Sequence, residues 1–296
     1  MINFFKFAFV AALLLVVGGC AQFESGEGGG EDATPKELEY EVVEFLPAPG
    51  QFINEGYSAS TMAEACAYAE ERFRNRYFVS LGGFGGFVVV KFKTPVVNSE
   101  GDYDFGIFGN SFSGSSEPGV VWVAYDENRN GLADDEWYEL RGSESGKDTT
   151  KQNYSITYSR TDDENEIAWR DSAGNEGVIE RNNAHTQDYF PAWVRADEYT
   201  LSGTLLPDNS EWSEKNQEWV LHAFEWGYAD NFSAIDLAAD RANRFRISDA
   251  CTADGERANL PHIDFVKVQS ATNVIHTTIG EVSTEVCGFV SYNSVK

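Results

Sequence analysis

The chain has 296 residues, of which 42% are apolar and 14% aromatic, so it is long enough to bury the core of one large domain or two small ones. This composition excludes a wholly disordered chain. The 22 Lys and Arg residues against 48 Asp and Glu give a net charge of −26. Such a charge opposes binding to nucleic acid, because phosphate contacts need clustered basic side chains, and it favours cations.

The first residues, "MINFFKFAFVAALLLVVGGC", have the pattern of an export signal. Lys6 precedes an apolar run over 7–17, which is too short to span a bilayer as a mature helix. The ending "VGGC" resembles a bacterial lipobox, in which Cys20 receives the lipid. We therefore predict a lipoprotein signal peptide over 1–19 and a membrane anchor at Cys20, with an ordinary signal peptide and an incidental cysteine as the alternative.

Residues 20–38 are rich in Gly and Glu and almost free of apolar side chains. This composition predicts a flexible acidic tether. Acidic residues close to a lipidated cysteine resemble the surface-export signals of some Gram-negative lipoproteins. The expected location is the outer membrane, on the cell surface.

The rest of the chain, 39–296, favours strands. Its short segments rich in β-branched and aromatic residues are "FVVVKF", "GVVWVAY", "YSITYSR", "YTLSGTLL", "WVLHAFEWG", "FRISDA" and "HIDFVKVQS". One helix is predicted near residues 60–75, with Met62, Cys66, Ala69 and Phe73 on its apolar face. The predicted fold is mainly β, a β-sandwich or jelly-roll-like body with this accessory helix at one edge or end.

Three cysteines remain after Cys20. An exported protein can form disulfides, and Cys251 with Cys287 would join two late segments and leave Cys66 free in the helix. Three buried thiols are the alternative.

The stretch "DENRNGLADDEW", 126–137, has the residue order of a calcium loop, with oxygen-bearing side chains at alternate positions and Gly131 at the turn. The predicted ligands are Asp126, Asn128, Asn130, Asp134 and Asp135, with the carbonyl of Leu132. The twelfth position is Trp137, where an EF-hand has Glu, so this is no EF-hand. We expect a structural Ca²⁺, and the alternative is a polar hairpin turn, since Asn-Gly is a strong turn signal.

The glycines in "SLGGFGGFVVVKF" precede a strand and lack the Gly-Lys-Ser/Thr ending of a phosphate-binding loop. They therefore predict close backbone packing or a bulged edge strand, and nucleotide binding is set aside.

A ligand-binding site is predicted around the loop 110–118, where hydrogen-bonding groups stand beside aromatic residues. Later aromatic residues would supply a stacking platform. The candidate contacts are Asn110, Ser111, Ser113, Trp193, Trp226 and Tyr228. The aromatic residues before the loop also fit a buried strand, because their spacing has the period of a strand.

Catalytic signatures are missing from the sequence. The four histidines show no H-x-H or H-E-x-x-H spacing, there is no G-x-S-x-G elbow, and no pair of carboxylates is marked as special. We expect a binding protein rather than an enzyme.

Several long motifs together resemble a known family: "LPAPGQF", "YDFGIFGNSFSGSSEPGVVWVAYDENRNGLADDEWYELRGSE", "FEWGYADN" and "HIDFVKVQ". They are similar to cell-surface lipoproteins of anaerobic gut-type Gram-negative bacteria, which are often associated with PKD modules. Some members are linked to vitamin B12 uptake loci. The resemblance implies capture of a corrinoid and its delivery to a TonB-dependent outer-membrane transporter.

Two other functions compete with corrinoid capture. A glycan-binding or adhesive surface module is favoured by candidate exposed aromatics such as Trp193, Trp212 and Trp226. A hydrolase with paired carboxylates is the third hypothesis.

Overall fold

The computed structural model describes residues 37–99, 101–163, 166–276 and 279–293. The predicted signal peptide, Cys20 and the tether up to residue 36 lie outside these residues. One α-helix, α1 (Met62–Arg74), and one 3₁₀ helix, Ile247–Asp249, are present in the described part. The strands in chain order are β1 (Tyr40–Leu46), β2 (Val79–Ser80), β3 (Phe87–Val97), β4 (Phe105–Phe108), β5 (Gly119–Ala124), β6 (Trp137–Leu140), β7 (Lys151–Arg160), β8 (Glu166–Asp171), β9 (Glu176–Glu180), β10 (Glu198–Leu205), β11 (Ser210–Ser213), β12 (Glu218–Leu221), β13 (Ala242–Phe245), β14 (Ala250–Cys251), β15 (His262–Ser270), β16 (Ile275–His276), β17 (Gly280–Glu281), β18 (Glu285–Val286) and β19 (Gly288–Ser291).

These strands form several antiparallel sheets, so the prediction of a mainly β, sandwich-like fold is confirmed. The largest sheet has the order β1-β3-β15-β5-β6-β14. A four-stranded sheet has the order β10-β7-β8-β9, and a three-stranded sheet has the order β13-β4-β19. Three two-stranded sheets, β11-β12, β16-β17 and β18-β2, complete the described strands.

The main core lies on one face of the six-stranded sheet. Strand alternation places every second valine on this face, and Val266 of β15 pairs with Val90 of β3 on one side and Val123 of β5 on the other. All three are fully buried. Side chains of α1 and of the three-stranded sheet cover the same face, which closes the core.

Helix α1 confirms the prediction of a helix near residues 60–75. The side chain of Thr61 accepts a hydrogen bond from the Glu64 backbone N–H at 3.2 Å, and the Glu64 carboxylate accepts one from the Ser60 N–H at 2.6 Å. These contacts fix the start of the helix. Its buried residues are Ala65, Cys66, Ala69 and Phe73.

A second apolar cluster lies on the four-stranded sheet. The Tyr158 hydroxyl of β7 donates a hydrogen bond to the Phe84 carbonyl at 2.9 Å, and Phe84 also packs edge-to-face on Tyr154 at 5.1 Å. Gln269 of β15 links this sheet to the six-stranded one, because its amide donates to the Ser202 carbonyl of β10 at 2.9 Å.

The glycines at 82–86 approach other backbone segments closely, as predicted. A Cβ at Gly82, whose φ is +68°, would lie 2.0 Å from the Ala48 carbonyl oxygen. A Cβ at Gly86 would lie 1.9 Å from the Leu81 carbonyl oxygen. These positions pack backbone on backbone, which only glycine permits.

Two predicted strands are shorter than expected. The segment "WVLHAFEWG" is a strand only to Leu221, and His222 beyond it is exposed and paired with Glu211 at 2.9 Å. In "FRISDA" the strand ends at Phe245 and a 3₁₀ helix follows. In the described residues, no helix is both long enough and apolar enough to cross a membrane.

Candidate functional site

The loop 110–118 connects β4 to β5 and folds against the end of β12 and the segment that follows it. The Ser116 N–H donates to the Leu221 carbonyl at 3.1 Å, and the Leu221 N–H donates to the Gly114 carbonyl at 2.8 Å. The Ser116 hydroxyl accepts a hydrogen bond from the Phe232 N–H at 3.0 Å. The loop is therefore fixed at its C-terminal half by backbone groups.

A buried carboxylate fixes the start of the loop. Asp230 accepts hydrogen bonds from the N–H groups of Asn110 at 3.0 Å and Ser111 at 2.8 Å through Oδ1. Its Oδ2 accepts one from the Glu285 N–H at 3.0 Å. Asp230 is fully buried and has a φ of +51°, in the left-handed region that Asp tolerates better than most residues. The Asp230 side chain thus joins three parts of the chain: the loop 110–118, the segment after β12, and strand β18.

Apolar side chains project from this region into solvent. Phe112 is 55% exposed and Phe232 is 37% exposed. Arg241 links the loop to Phe232, because its guanidinium donates a hydrogen bond to the Ser111 carbonyl and lies 5.7 Å from the centre of the Phe232 ring. Large exposed aromatic side chains beside hydrogen-bonding groups are typical of binding surfaces. We call Phe112, Ser113 and Phe232 the loop face.

The structure brings together only part of the predicted ligand site. Asn110 and Ser111 lie side by side on Asp230, and Ser113 is exposed at the tip of the loop. Trp193 is 8% exposed and packs on Phe45 and Tyr57 in the main core, so it offers almost no surface to a ligand.

The other two predicted aromatics have structural contacts. Tyr228 is buried, and its hydroxyl accepts a hydrogen bond from the Glu144 N–H at 3.0 Å. Trp226 lines a cavity of about 30 Å³ with Tyr103 and Arg244. A space of this size holds about one water molecule and no organic ligand. These residues therefore do not form one stacking platform with the loop.

Three carboxylates converge beneath the loop. Oxygens of Glu117, Asp230 and Glu285 all lie within 4.8 Å of one another, and in the described residues they form the only such group of three acidic, His or Cys side chains. Burial raises the pKa of Glu117 to about 8. Burial, followed by the charges of neighbouring carboxylates, also raises the pKa of Asp230 and Glu285. We call these three residues the acidic cluster.

Sequence reasoning missed the acidic cluster. Asp230 and Glu285 are 55 residues apart, and Glu117 is more distant still from both. No local spacing marks any of them, because Glu117 lies just before β5, Asp230 lies in the connection between β12 and β13, and Glu285 begins β18. Only the pairing of β4, β5 and β18 with their neighbours brings them together.

The predicted calcium loop is the hairpin between β5 and β6, in which Ala124 pairs with Trp137. Its side chains fold back on the backbone: the Gly131 N–H donates to Asp126 Oδ2 at 3.0 Å, and the Leu132 N–H donates to Asn130 Oδ1 at 2.7 Å. Asn128 also accepts, from the Asn130 N–H at 2.8 Å.

Two buried oxygens of this hairpin, Asp126 Oδ1 and Asp135 Oδ2, have no hydrogen-bond partner. The Asn128 amide nitrogen lies 3.2 Å from Asp134 Oδ1 and 3.1 Å from Asp135 Oδ1. Unpaired buried carboxylate oxygens fit a cation, because an oxygen that lacks any partner inside a protein is costly. Two carboxylate oxygens of the hairpin are therefore available to a cation, although in the described residues no three of its carboxylates lie as close together as those of Glu117, Asp230 and Glu285.

A second aromatic group lies on the β11-β12 hairpin. Trp212 is partly exposed and packs edge-to-face on Trp219, with ring centres 5.5 Å apart. Trp219 in turn stacks on His276 at 3.6 Å. This group is built from residues other than those of the loop face.

Cys66 and Cys251 carry free thiols, so the bridge between Cys251 and Cys287 is not formed. Burial raises the pKa of the Cys66 thiol to about 11, which keeps it protonated and unreactive at neutral pH.

No model of a known protein family matches the chain. No curated protein matches it either.

Proposed function

We propose that this protein is a surface-exposed lipoprotein, anchored through Cys20, that binds a small-molecule ligand at the loop face. The observation that carries the proposal is the exposed Phe112 on a loop held in place from below by Asp230, together with the exposed Phe232 in the neighbouring segment after β12. A loop fixed in this way loses little conformational entropy when it binds a ligand.

The ligand we propose is a corrinoid, delivered to a TonB-dependent outer-membrane transporter. A corrinoid presents amide side chains that hydrogen-bond to Ser113, and an apolar ring edge that packs on Phe112 and Phe232. The binding role needs no catalytic group. This ligand assignment draws on the resemblance of the sequence motifs as well as on the loop face.

Isothermal titration of the full chain with cyanocobalamin, in buffer that contains calcium, tests the proposal. We expect binding at micromolar or tighter affinity. Phe112→Ala should weaken it about tenfold, equivalent to about 1.4 kcal/mol, because one ring contact is lost. Trp212→Ala, which removes an exposed ring elsewhere, is the matched control and should bind like the wild type. No heat and no shift of the visible spectrum would refute corrinoid binding.

The β11-β12 hairpin favours a second candidate function, glycan binding or adhesion. Its partly exposed Trp212, supported by Trp219 and His276, is the kind of flat aromatic surface on which a sugar ring stacks. A glycan array probed with the wild type and with Trp212→Ala discriminates the two functions. Signals that disappear in the variant support this candidate, and a silent array rejects it.

We further propose that the hairpin between β5 and β6 holds a structural Ca²⁺. The predicted ligands are those named from the sequence, and the unpaired oxygens of Asp126 and Asp135 support the assignment. Several protein ligands would leave the cation little room for a substrate, so its role is to stabilise the hairpin.

A further inference from the structure

We propose that Glu281 is a proton-controlled contact, in which the neutral carboxyl group holds the segment 47–53 against β17 and its ionisation loosens that segment. Glu281 is the last residue of β17 and is 4% exposed. Its Oε1 accepts a hydrogen bond from the Gln51 N–H at 2.7 Å. Its Oε2 is buried and has no hydrogen-bond partner. One oxygen of this carboxyl group therefore fixes the segment, and the other is left without a partner.

No positive charge compensates this carboxyl group. Among the residues that the structure describes, no nitrogen of Lys, Arg or His lies within 4.0 Å of its oxygens. The titratable groups that face it from the elements packed around it are Glu117, Tyr158, Tyr189 and Glu285, and the charge of Glu281 raises the pKa of each of them. All four become negative when they ionise, so none can stabilise a charged Glu281. An uncompensated buried charge is much more costly than a neutral carboxyl group.

Backbone atoms enclose the carboxyl group closely. A Cβ at Gly50 would lie 2.4 Å from Glu281 Oε1 and 3.0 Å from the Cα of Gly82. The backbone therefore occupies this side of the carboxyl group and leaves no room there for a side chain that could pair with it. Burial raises the pKa of Glu281 to about 7, from an ordinary value of 4.5. Between these two values the folded protein keeps the group neutral, whereas the unfolded chain has it ionised.

The segment 47–53 lies where the chain passes from one apolar cluster to the other. Phe45, just before the segment, packs in the main core, and Ala48 packs in the cluster on the four-stranded sheet. The hydrogen bond from the Gln51 N–H to Glu281 is made a few residues after this crossing. We therefore expect ionisation of Glu281 to weaken the connection between the two clusters rather than either cluster itself.

The direction of the pH dependence follows from the raised pKa of Glu281. Between about pH 4.5 and 7 the closed segment keeps the Glu281 proton and the opened one releases it, so the equilibrium constant for closing falls as pH rises, at most about tenfold per pH unit. Below about pH 4.5 both states are protonated, and above about pH 7 both are ionised. The stabilisation is therefore fully present in acid and is lost by about pH 7. It does not depend on which ligand the loop face binds.

The test is an NMR titration of the ¹⁵N-labelled full chain that follows the Gln51 amide signal, because this N–H donates to the Glu281 carboxyl group and reports its charge. We expect an inflection near pH 7. Glu281→Gln keeps an oxygen for the Gln51 N–H but cannot ionise, so it should abolish the inflection. Glu285→Gln is the matched control, because Glu285 is also 4% exposed, and it should retain the inflection. An inflection near pH 4.5 in the wild type, or one near pH 7 that persists in Glu281→Gln, would overturn the proposal.

Hydrogen exchange of the wild type tests the loosening without any variant. Val90, in β3, is fully buried, so its amide reports global opening. We expect the protection factor of the Gln51 amide to fall relative to that of Val90 as the pH rises from about 5 to about 7, by up to about a hundredfold. A constant ratio of the two protection factors over this range would show that ionisation of Glu281 does not loosen the segment, and it would reject the proposal.

Discussion

Gly82 and Gly56 share almost the same backbone conformation, with φ of +68° and +69°, but differ in their surroundings. A Cβ at Gly82 would lie 2.0 Å from the Ala48 carbonyl oxygen, whereas one at Gly56 would meet no atom within 4 Å. Two separate reasons therefore favour glycine at these positions. The left-handed backbone favours it at both, and the close approach of another backbone segment favours it at Gly82 alone.

We expect Gly82→Ala to lower the free energy of unfolding by about 2 to 5 kcal/mol. The left-handed backbone contributes about 1 to 2 kcal/mol, and the overpacking against Ala48 about 1 to 3 kcal/mol. Gly56→Ala should lose only the first contribution. Urea denaturation of both variants measures the difference, and equal losses would show that the close approach relaxes without cost.

Lys267 is a partly buried cation in a ring of aromatic side chains. Its Nζ lies 4.9 Å from the Trp122 ring centre and 5.1 Å from that of Trp137. Burial lowers its pKa to about 8, although the charges of Glu44 and Glu139 act in the opposite direction. The folded state therefore loses the Lys267 proton at a lower pH than the unfolded chain, whose lysines titrate near pH 10.4.

Stability should consequently rise with pH above about 8, because in this window the unfolded chain binds more protons than the folded one. The gain is at most about 1.4 kcal/mol per pH unit, and it is absent below about pH 8, where both states are protonated. We expect the urea midpoint of the wild type to rise between pH 8 and 9.5 relative to that of Lys267→Met. A constant difference between the two proteins over this range would contradict the lowered pKa.

At the scale of elements, the hairpin between β5 and β6 is organised by its own side chains. Asp126 accepts the Gly131 N–H, and Asn130 accepts the Leu132 N–H, so the turn is already shaped. Such preorganisation reduces the entropy that a cation must overcome.

We expect chelation with EDTA to lower the melting temperature, because a cation present at 100 times its Kd stabilises the folded state by about 2.7 kcal/mol. Asp126→Ala should reduce the response to Ca²⁺, since it removes both a proposed ligand and the contact to Gly131. The neighbouring Glu127→Ala, which alters an exposed acid outside the predicted ligands, is the control. If the wild type and both variants each have the same melting temperature in Ca²⁺ as in EDTA, the hairpin is an ordinary turn without a cation.

The elements that the sequence predicts well are those with strong local signals. The β-branched runs of β3, β5 and β15 and the apolar face of α1 are such cases. The strand predicted through "WVLHAFEWG" is wrong after Leu221 because its partner, β11, begins only at Ser210. Beyond that point buried polar side chains replace strand pairing: Asn231 accepts the Phe224 N–H at 2.9 Å.

The candidate site likewise contains residues that local sequence signals indicate and residues that they do not. The polar composition of the loop 110–118 indicates Asn110 and Ser111, which the structure places together on Asp230. Asp230 itself gives no local signal, because its role depends on strands that are distant in the chain. Trp193 illustrates the opposite error: an aromatic side chain in a polar segment is buried by the tertiary packing.

For the whole molecule, the net charge of −26 implies substantial self-repulsion in the folded state. We expect the melting temperature in EDTA to rise as NaCl increases from about 0.01 M to 0.15 M, because the Debye length falls from about 30 Å to about 8 Å. EDTA keeps divalent cations from contributing. A melting temperature that falls with added salt would mean that attractive ion pairs outweigh the repulsion.

The strand order of the six-stranded sheet has a consequence for the moment at which this chain can fold. Its central strand, β15, separates β3 from β5 but is made more than a hundred residues after both. A chain that emerges N-terminus first, from a ribosome or a secretion channel, therefore presents β3 and β5 with one unpaired edge each until residue 270 has appeared. Unpaired strand edges invite aggregation. A chain that emerges in this order therefore cannot reach the native state until almost all of it has appeared. Until then it stays unfolded enough to pass through a channel, and a chaperone that holds it is most useful over that interval.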